Sequence, residues 1–171
     1  LVILIFTILQ GCATLDRPPD PNDPLERYNR AMYKFNDKFD KYLLKPVAKG
    51  YDTVVPSPIK AGVSNVFQNL ADAQSLVSDA LQLKGQKFGD DLGRVMLNTT
   101  FGIGGLFDLA TPMGIERGNE DIGQTLGYWG LGSGPYLVVP FLGPSSLRDA
   151  VGRYGDSQIN PLTYVSSVPV R

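Results

Sequence analysis

The spacing of apolar side chains predicts helices from residue 24 to about residue 101. Between residues 24 and 46, apolar residues recur every three or four positions and fall on one helical face. These residues are Leu25, Tyr28, Met32, Phe35, Phe39 and Leu43. Four shorter helical segments follow, at 45–55, 57–70, 73–81 and 88–99. No alternating run is long enough to predict a sheet, so the pattern favours an all-α fold.

Glycine and proline replace the helical pattern after residue 101. Thirteen of the 19 glycines lie between Phe101 and Gly155. The densest stretch, Gly127 to Pro144, holds five glycines and three prolines among large apolar side chains. Such a stretch is too flexible for a core helix and too apolar for an ordinary surface loop.

Two serine positions predict where helices begin. Ser57 precedes Pro58, an arrangement typical of an N-cap followed by proline in the first turn. Ser145-Ser146 precedes the segment LRDAVGRYG and is expected to cap a later helix.

A basic stripe runs along the border of the first apolar face. It consists of Arg27, Arg30, Lys34, Lys38, Lys41 and Lys45. Aromatic residues flanked by cations are typical of a helix that lies in a membrane interface. The residues expected there are Tyr28, Met32, Phe35 and Phe39 with Arg30, Lys34 and Lys38. The alternative is a soluble amphipathic helix with a solvated charged face.

The N-terminal residues are typical of a lipoprotein signal. The run LVILIFTIL has the length of a signal-peptide apolar region, and LQGC ends it at Cys12. We therefore expect the sequence to begin inside a signal peptide (residues 1–11) and Cys12 to carry lipid; a chance cysteine is the alternative. Ala13 after it favours outer-membrane sorting.

A proline-rich tether is expected between the lipid and the folded body. Asp16 to Pro24 holds four prolines, which exclude helix interior and favour an extended spacer. We divide the chain into a lipidated cysteine with its tether (12–24) and one helical domain (25–171).

Composition excludes most chemistry. The chain has no histidine, one cysteine and a net charge of −1, so we predict no metal site, no cofactor and no nucleic-acid binding. Ser133 lacks the surroundings of a hydrolase nucleophile. The acidic pairs Asp90-Asp91 and Glu120-Asp121 are expected to be solvated or to lie in first turns. No catalytic constellation is present in the sequence, and we predict that the protein is not an enzyme.

The glycines do not fit a phosphate-binding loop. Gly130 to Gly134 has glycine at every second position and is followed by proline, whereas Gly102 to Gly105 lacks the third glycine of a nucleotide fingerprint. Neither run precedes a P-loop lysine.

Three segments carry a family resemblance. DPLERYNRAMYKFND (23–37), RVMLNTTFGIGGLFDLA (94–110) and GQTLGYWGLGSGPYLVVPFLGPSSLRD (123–149) together resemble the MlaA/VacJ family of outer-membrane lipoproteins. The resemblance implies an all-helical, ring-like body embedded in the inner leaflet of the outer membrane, beside porin trimers. It also implies a channel that removes mislocalised phospholipid from the outer leaflet and passes it to a periplasmic carrier protein. Members of the family generally continue past a point like Arg171, so the resemblance implies a further C-terminal region.

The resemblance assigns roles to particular residues. The polar channel lining is expected at Asn98, Thr99, Thr100, Arg148 and Asp149; for each, a local cap or surface pair is the alternative. A hairpin-like flap beside the channel is expected to bend and stiffen at Gly127, Gly130, Gly132, Gly134, Pro135 and Pro140. The second hypothesis is a structural, porin-associated lipoprotein that moves no lipid.

Overall fold

A computed structural model describes residues 23–164, which are mostly helical, as the apolar spacing predicts. In chain order the helices and strands are α1 (Glu26–Phe39), α2 (Lys45–Val54), α3 (Ser57–Leu81), α4 (Gly85–Thr100), α5 (Ile122–Tyr128), β1 (Tyr136–Val139), β2 (Gly143–Ser146) and α6 (Leu147–Ile159). Short 3-10 turns lie at Thr111–Met113 and Pro161–Tyr164. Cys12 and the rest of the predicted signal and lipid attachment fall outside the described residues.

The first helical run is continuous through a π-helical turn. This turn, Asp40–Leu44, joins α1 to α2 without a break. Pro46 cannot donate to the carbonyl of Tyr42 four residues earlier, and its ring crowds that group. Because the wider π turn relieves this crowding, we infer that the helix continues past the proline.

Helices α3 and α4 form an antiparallel pair that is the centre of the structure. The two segments predicted at 57–70 and 73–81 are one 25-residue helix. Its N-cap position is Pro56, so the cap predicted at Ser57 is one residue too late. The chain reverses at Leu83, whose φ of 58° is left-handed, and α4 then ends at Thr100, close to the predicted end.

A two-stranded hairpin forms the last third together with α6. Strands β1 and β2 pair antiparallel, with Tyr136 opposite Ser146 and Val139 opposite Gly143. The prediction of no sheet is wrong here, because four-residue strands are too short to show alternation. The predicted cap is confirmed: the Ser146 side chain accepts a hydrogen bond from the Asp149 amide at 3.1 Å and begins α6.

Within the described residues, none of the helices has both the length and the apolar character needed to cross a membrane.

Candidate functional site

The burial pattern is the reverse of that in an ordinary globular domain. Among residues 23–164, the buried hydrophobic residues are Met32, Ala110 and Val138, whereas 12 polar or charged residues are buried. Large apolar side chains are exposed on every helix from α1 to α6, as at Phe67 (62%) and Met96 (60%). Buried polar groups destabilise a fold unless they are paired. The stability of this interior therefore depends on how these groups are paired.

Arg94 is the centre of the buried polar groups between α3 and α4, and we call these groups the ionic core. Its Nε donates to Asp72 Oδ2 at 3.0 Å, and its Nη1 donates to the Ile115 carbonyl at 2.7 Å. Its Nη2 also contacts Asp108 at 3.3 Å. The guanidinium thereby links α3, α4 and the loop 101–121, a task suited to its planar set of donors. Burial by itself raises the pKa of Asp108, but hydrogen bonds from Thr111 and the charge of Arg94 outweigh it and lower the pKa to about 2.

Glu120 is a second ionic centre of this interior. Its side chain is 7% exposed and lies 2.8 Å from Lys84 Nζ and 2.7 Å from Lys87 Nζ. Burial raises the pKa of Glu120, but the hydrogen bonds from both lysines and Gln82 lower it to about 2. The expectation of a solvated Glu120 is therefore wrong, because the lysines that approach it come from a distant segment. Its neighbour Asp121 is the N-cap of α5, and its side chain accepts a hydrogen bond from the Gln124 amide in the first turn.

Two carboxylates in the same interior form no ion pair within residues 23–164. Asp79 and Asp91 are both fully buried, and among these residues neither oxygen of Asp79 has a hydrogen-bond partner. Burial and the adjacent Asp91 raise the pKa of Asp79 to about 6. Asp91 Oδ1 accepts from the Gly118 amide at 2.8 Å. The prediction that Asp91 is solvated is wrong, because it faces α3 across the helix pair and not the solvent.

Two asparagines of α1 bind the backbone of the hairpin. Asn29 donates to the Tyr136 carbonyl at 3.1 Å and accepts from the Val138 amide at 2.8 Å. Asn36 likewise donates to the Val139 carbonyl at 3.0 Å and accepts from the Phe141 amide at 2.8 Å. We call these four bonds the asparagine clasp. The two asparagines are seven residues apart, which is two helical turns and therefore one face of α1. Sequence analysis missed both, although this spacing on the border of the apolar stripe was the available signal.

The aromatic residues of α1 contact the hairpin turn. The Phe141 ring lies edge-on against Phe35 and Phe39, with centroid distances of 5.1 and 4.9 Å. Phe35 remains exposed and Phe39 and Tyr28 are half-buried. Met32 is buried, so the expectation that it faces lipid is wrong for that residue. The predicted cations Arg30, Lys34 and Lys38 are all exposed.

The predicted hinge positions surround β1. Gly130 and Gly134 have φ values of +95° and +69°, a region that L residues rarely adopt. A Cβ on Gly127 would lie 2.6 Å from Arg148 Nη1, whereas one on Gly132 would meet nothing within 4 Å. Pro135 and Pro140 are half-buried directly before and after β1.

The predicted channel-lining residues occupy two places. Asn98 is buried, and its oxygen accepts from the Leu109 and Ala110 amides at 2.8 and 3.2 Å, so it fixes the following loop and does not line an open path. Thr99 and Thr100 are exposed at the end of α4. Arg148 and Asp149 lie in the first turn of α6 and pair with each other at 3.0 Å. Across residues 23–164, no group of three or more acidic or cysteine side chains is placed to hold a metal ion.

Comparisons with known proteins agree on one family. The sequence model of the family described as MlaA lipoprotein matches residues 21–170. An uncharacterised protein of Rickettsia typhi is 38% identical over 143 residues, which are 83% of this chain and 57% of that protein. The intermembrane phospholipid transport system lipoprotein MlaA of Escherichia coli K12 is 36% identical over 165 residues, which are 94% and 66% of the two chains.

A solved structure supports the same relationship. It comes from work on the "Structural basis for maintenance of bacterial outer membrane lipid asymmetry" and matches with a TM-score of 0.75 at 36% identity. The match covers 85% of this chain and 75% of the other. The chain spans 57 to 66% of the length of the two curated relatives named above.

Proposed function

Because the chain belongs to the MlaA lipoprotein family, we propose that it moves phospholipid at the bacterial outer membrane. In this proposal it removes mislocalised phospholipid from the outer leaflet and passes it to a periplasmic carrier protein. It thereby maintains lipid asymmetry without catalysing a reaction. A porin trimer is the proposed membrane partner.

The reversed burial pattern is the observation that supports this proposal best. Apolar side chains exposed on six helices are favourable against acyl chains but not against water. Several of the buried polar groups are satisfied inside the body, as in the Arg94–Asp72 ion pair and the hydrogen bonds that Asn98 accepts, and this pairing supports a fold with few buried apolar residues. A ring-like body that lies within one leaflet, held by lipid on Cys12, fits these faces.

The hairpin is the part best suited to act as a gate. The segment that leads into β1 carries Gly130 and Gly134 in left-handed conformations, and β1 and the turn after it are held to α1 by the asparagine clasp. Neutral hydrogen bonds of this kind contribute only about 0.5 to 1.5 kcal/mol each. A few such bonds can therefore open and reform while the ionic core stays intact.

The gate is tested in cells that lack their own MlaA lipoprotein and express the full-length form of this one. Wild type should lower outer-leaflet phospholipid, whereas a variant with both Gly130→Ala and Gly134→Ala should leave it high. An alanine in the left-handed region costs about 1 kcal/mol, which shifts the hairpin conformation. Gly89→Ala is the matched control and should lower outer-leaflet phospholipid like wild type, because Gly89 is an exposed residue of α4 outside the hairpin and a Cβ there would meet nothing within 4 Å.

The alternative is a structural lipoprotein that binds a porin and moves no lipid. It gains support if wild type restores porin association but leaves outer-leaflet phospholipid unchanged. Equal lipid levels in the double variant and the Gly89→Ala control would reject the gate alone. The anchor is tested separately by Cys12→Ser, which should abolish lipid attachment and lower the amount of protein in the outer membrane.

A further inference from the structure

A cavity of about 510 Å³ lies between α1 and β1, beside the asparagine clasp. Its walls carry Asp23, Glu26, Arg30 and Lys34 from the α1 side and Tyr136 from β1. The Tyr136 side chain is exposed, and so is that of Tyr33 on the opposite wall. The cavity is therefore accessible from outside while one of its walls belongs to the proposed gate.

The cationic wall offers donors to a phosphate. Lys34 is exposed and forms no ion pair within residues 23–164. Arg30 is 42% exposed at its side chain and is held in place by Glu26, with 2.8 Å between Nη2 and Oε1. A fixed guanidinium beside a mobile ammonium is a common arrangement for phosphate recognition.

The cavity also carries negative charge, at Asp23 just before the start of α1. Asp23 is partly exposed, and its Oδ1 accepts from the Leu25 amide and from Asn29 Nδ2, both at 3.1 Å. These bonds orient the carboxylate. Two acidic and two basic side chains make the lining neutral in total, so a ligand with a phosphate alone would meet repulsion at Asp23.

We propose that this cavity binds a zwitterionic headgroup, a phosphodiester that carries a primary amine. Lys34 and Arg30 contact its phosphate, and Asp23 contacts its ammonium group. The proposal rests on the proposed function, because it takes the headgroup to belong to a phospholipid that the protein moves. An anionic phospholipid without an amine gains the phosphate contacts but loses the contact to Asp23.

The test is lipid retention by the full-length lipoprotein in detergent micelles, measured by native mass spectrometry. Equal amounts of phosphatidylethanolamine and phosphatidylglycerol are offered. Lys34→Gln should lower retained phosphatidylethanolamine about fivefold, since a solvent-exposed charge contact contributes up to about 1 kcal/mol. Asp23→Asn keeps an acceptor oxygen for Leu25 and Asn29, so it should abolish the preference between the two lipids without unfolding the protein.

Lys38→Gln is the matched control. Lys38 is exposed on the same helix but does not line the cavity, so this variant should retain lipid like wild type. Unchanged retention in Lys34→Gln, or an equal loss in Lys38→Gln, would overturn the proposal. Soluble glycerophosphoethanolamine is the last arm: if it binds as tightly as the lipid, the ligand is a free phosphodiester and the lipid assignment fails.

The cellular assay separates this proposal from the proposed function. Failure of wild type to lower outer-leaflet phospholipid would reject the proposed function itself. Wild-type activity combined with unchanged lipid retention in both cavity variants would reject only the headgroup site.

Discussion

The ionic core between α3 and α4 and the clasp between α1 and the hairpin are both polar, yet they hold their elements differently. In the core, fully buried Arg94 bridges carboxylates from two segments. In the clasp, neutral asparagine amides bind backbone groups at the edge of a small strand. Removing one partner of a buried ion pair costs about 3 to 5 kcal/mol, and a neutral hydrogen bond contributes about 0.5 to 1.5 kcal/mol. The contacts of the core are thus the stronger ones, and we expect the hairpin to open before the core does.

The largest expected effect comes from breaking the core. Arg94→Met should lower the free energy of unfolding by about 3 kcal/mol or more, because Asp72 and Asp108 lose a buried cation. Urea unfolding in detergent micelles, followed by circular dichroism, measures the change. Arg153→Met, on the exposed face of α6, should change it by less than about 0.5 kcal/mol. A loss under about 1 kcal/mol for the Arg94 variant would contradict the assignment of the stronger contacts to the core.

The second largest effect is expected at Asp79, because this buried carboxylate lowers the stability of the core. The pKa of Asp79 is about 6 in the folded protein and about 3.9 in an unfolded chain. The folded state therefore binds more protons between these values, and its stability falls as the pH rises from about 4 to about 6. Asp79→Asn removes this loss and should stabilise the protein at pH 7 by on the order of 2 to 3 kcal/mol.

The pH dependence of that difference is the decisive measurement. Wild type and the Asp79→Asn variant should differ little below about pH 4 and most above about pH 6. The ionic groups Asp108 and Glu120, with pKa values of about 2, lose their contributions at lower pH and do not affect this window. Asp37→Asn, on the exposed surface of α1, is the control. A difference that is constant with pH would show that Asp79 is not the titrating group.

The smallest effect is expected at the clasp. Asn36→Ala removes two hydrogen bonds to the hairpin turn and should speed exchange of the Phe141 amide hydrogen about tenfold, with global stability nearly unchanged. Hydrogen exchange read by mass spectrometry or NMR checks this. Asn65→Ala removes a comparable bond to the Leu106 carbonyl and should leave Phe141 unaffected. If Asn36→Ala instead unfolds the whole protein, the hairpin does not open before the core.

Much of the fold is visible in local sequence. The three-and-four spacing predicts α1 to α4 but not α5, and Ser146 predicts the start of α6, since a cap depends on residues within one turn. The hairpin position is indicated by the glycines and prolines around β1. Local pattern fails at the strands themselves, which are too short for alternation, and at α3, where the two predicted segments are one continuous helix.

The sequence by itself determined the helical character of the chain, the hairpin position and the family, because these follow from neighbouring residues and motifs. Only the tertiary structure decided which polar residues are interior. Glu120 meets lysines more than 30 residues away, and Asn29 meets a strand more than 100 residues away. The pairing that makes a buried charge tolerable is thus non-local, and no spacing rule along the chain reveals it. The same long-range packing places polar side chains inside and leaves apolar ones outside.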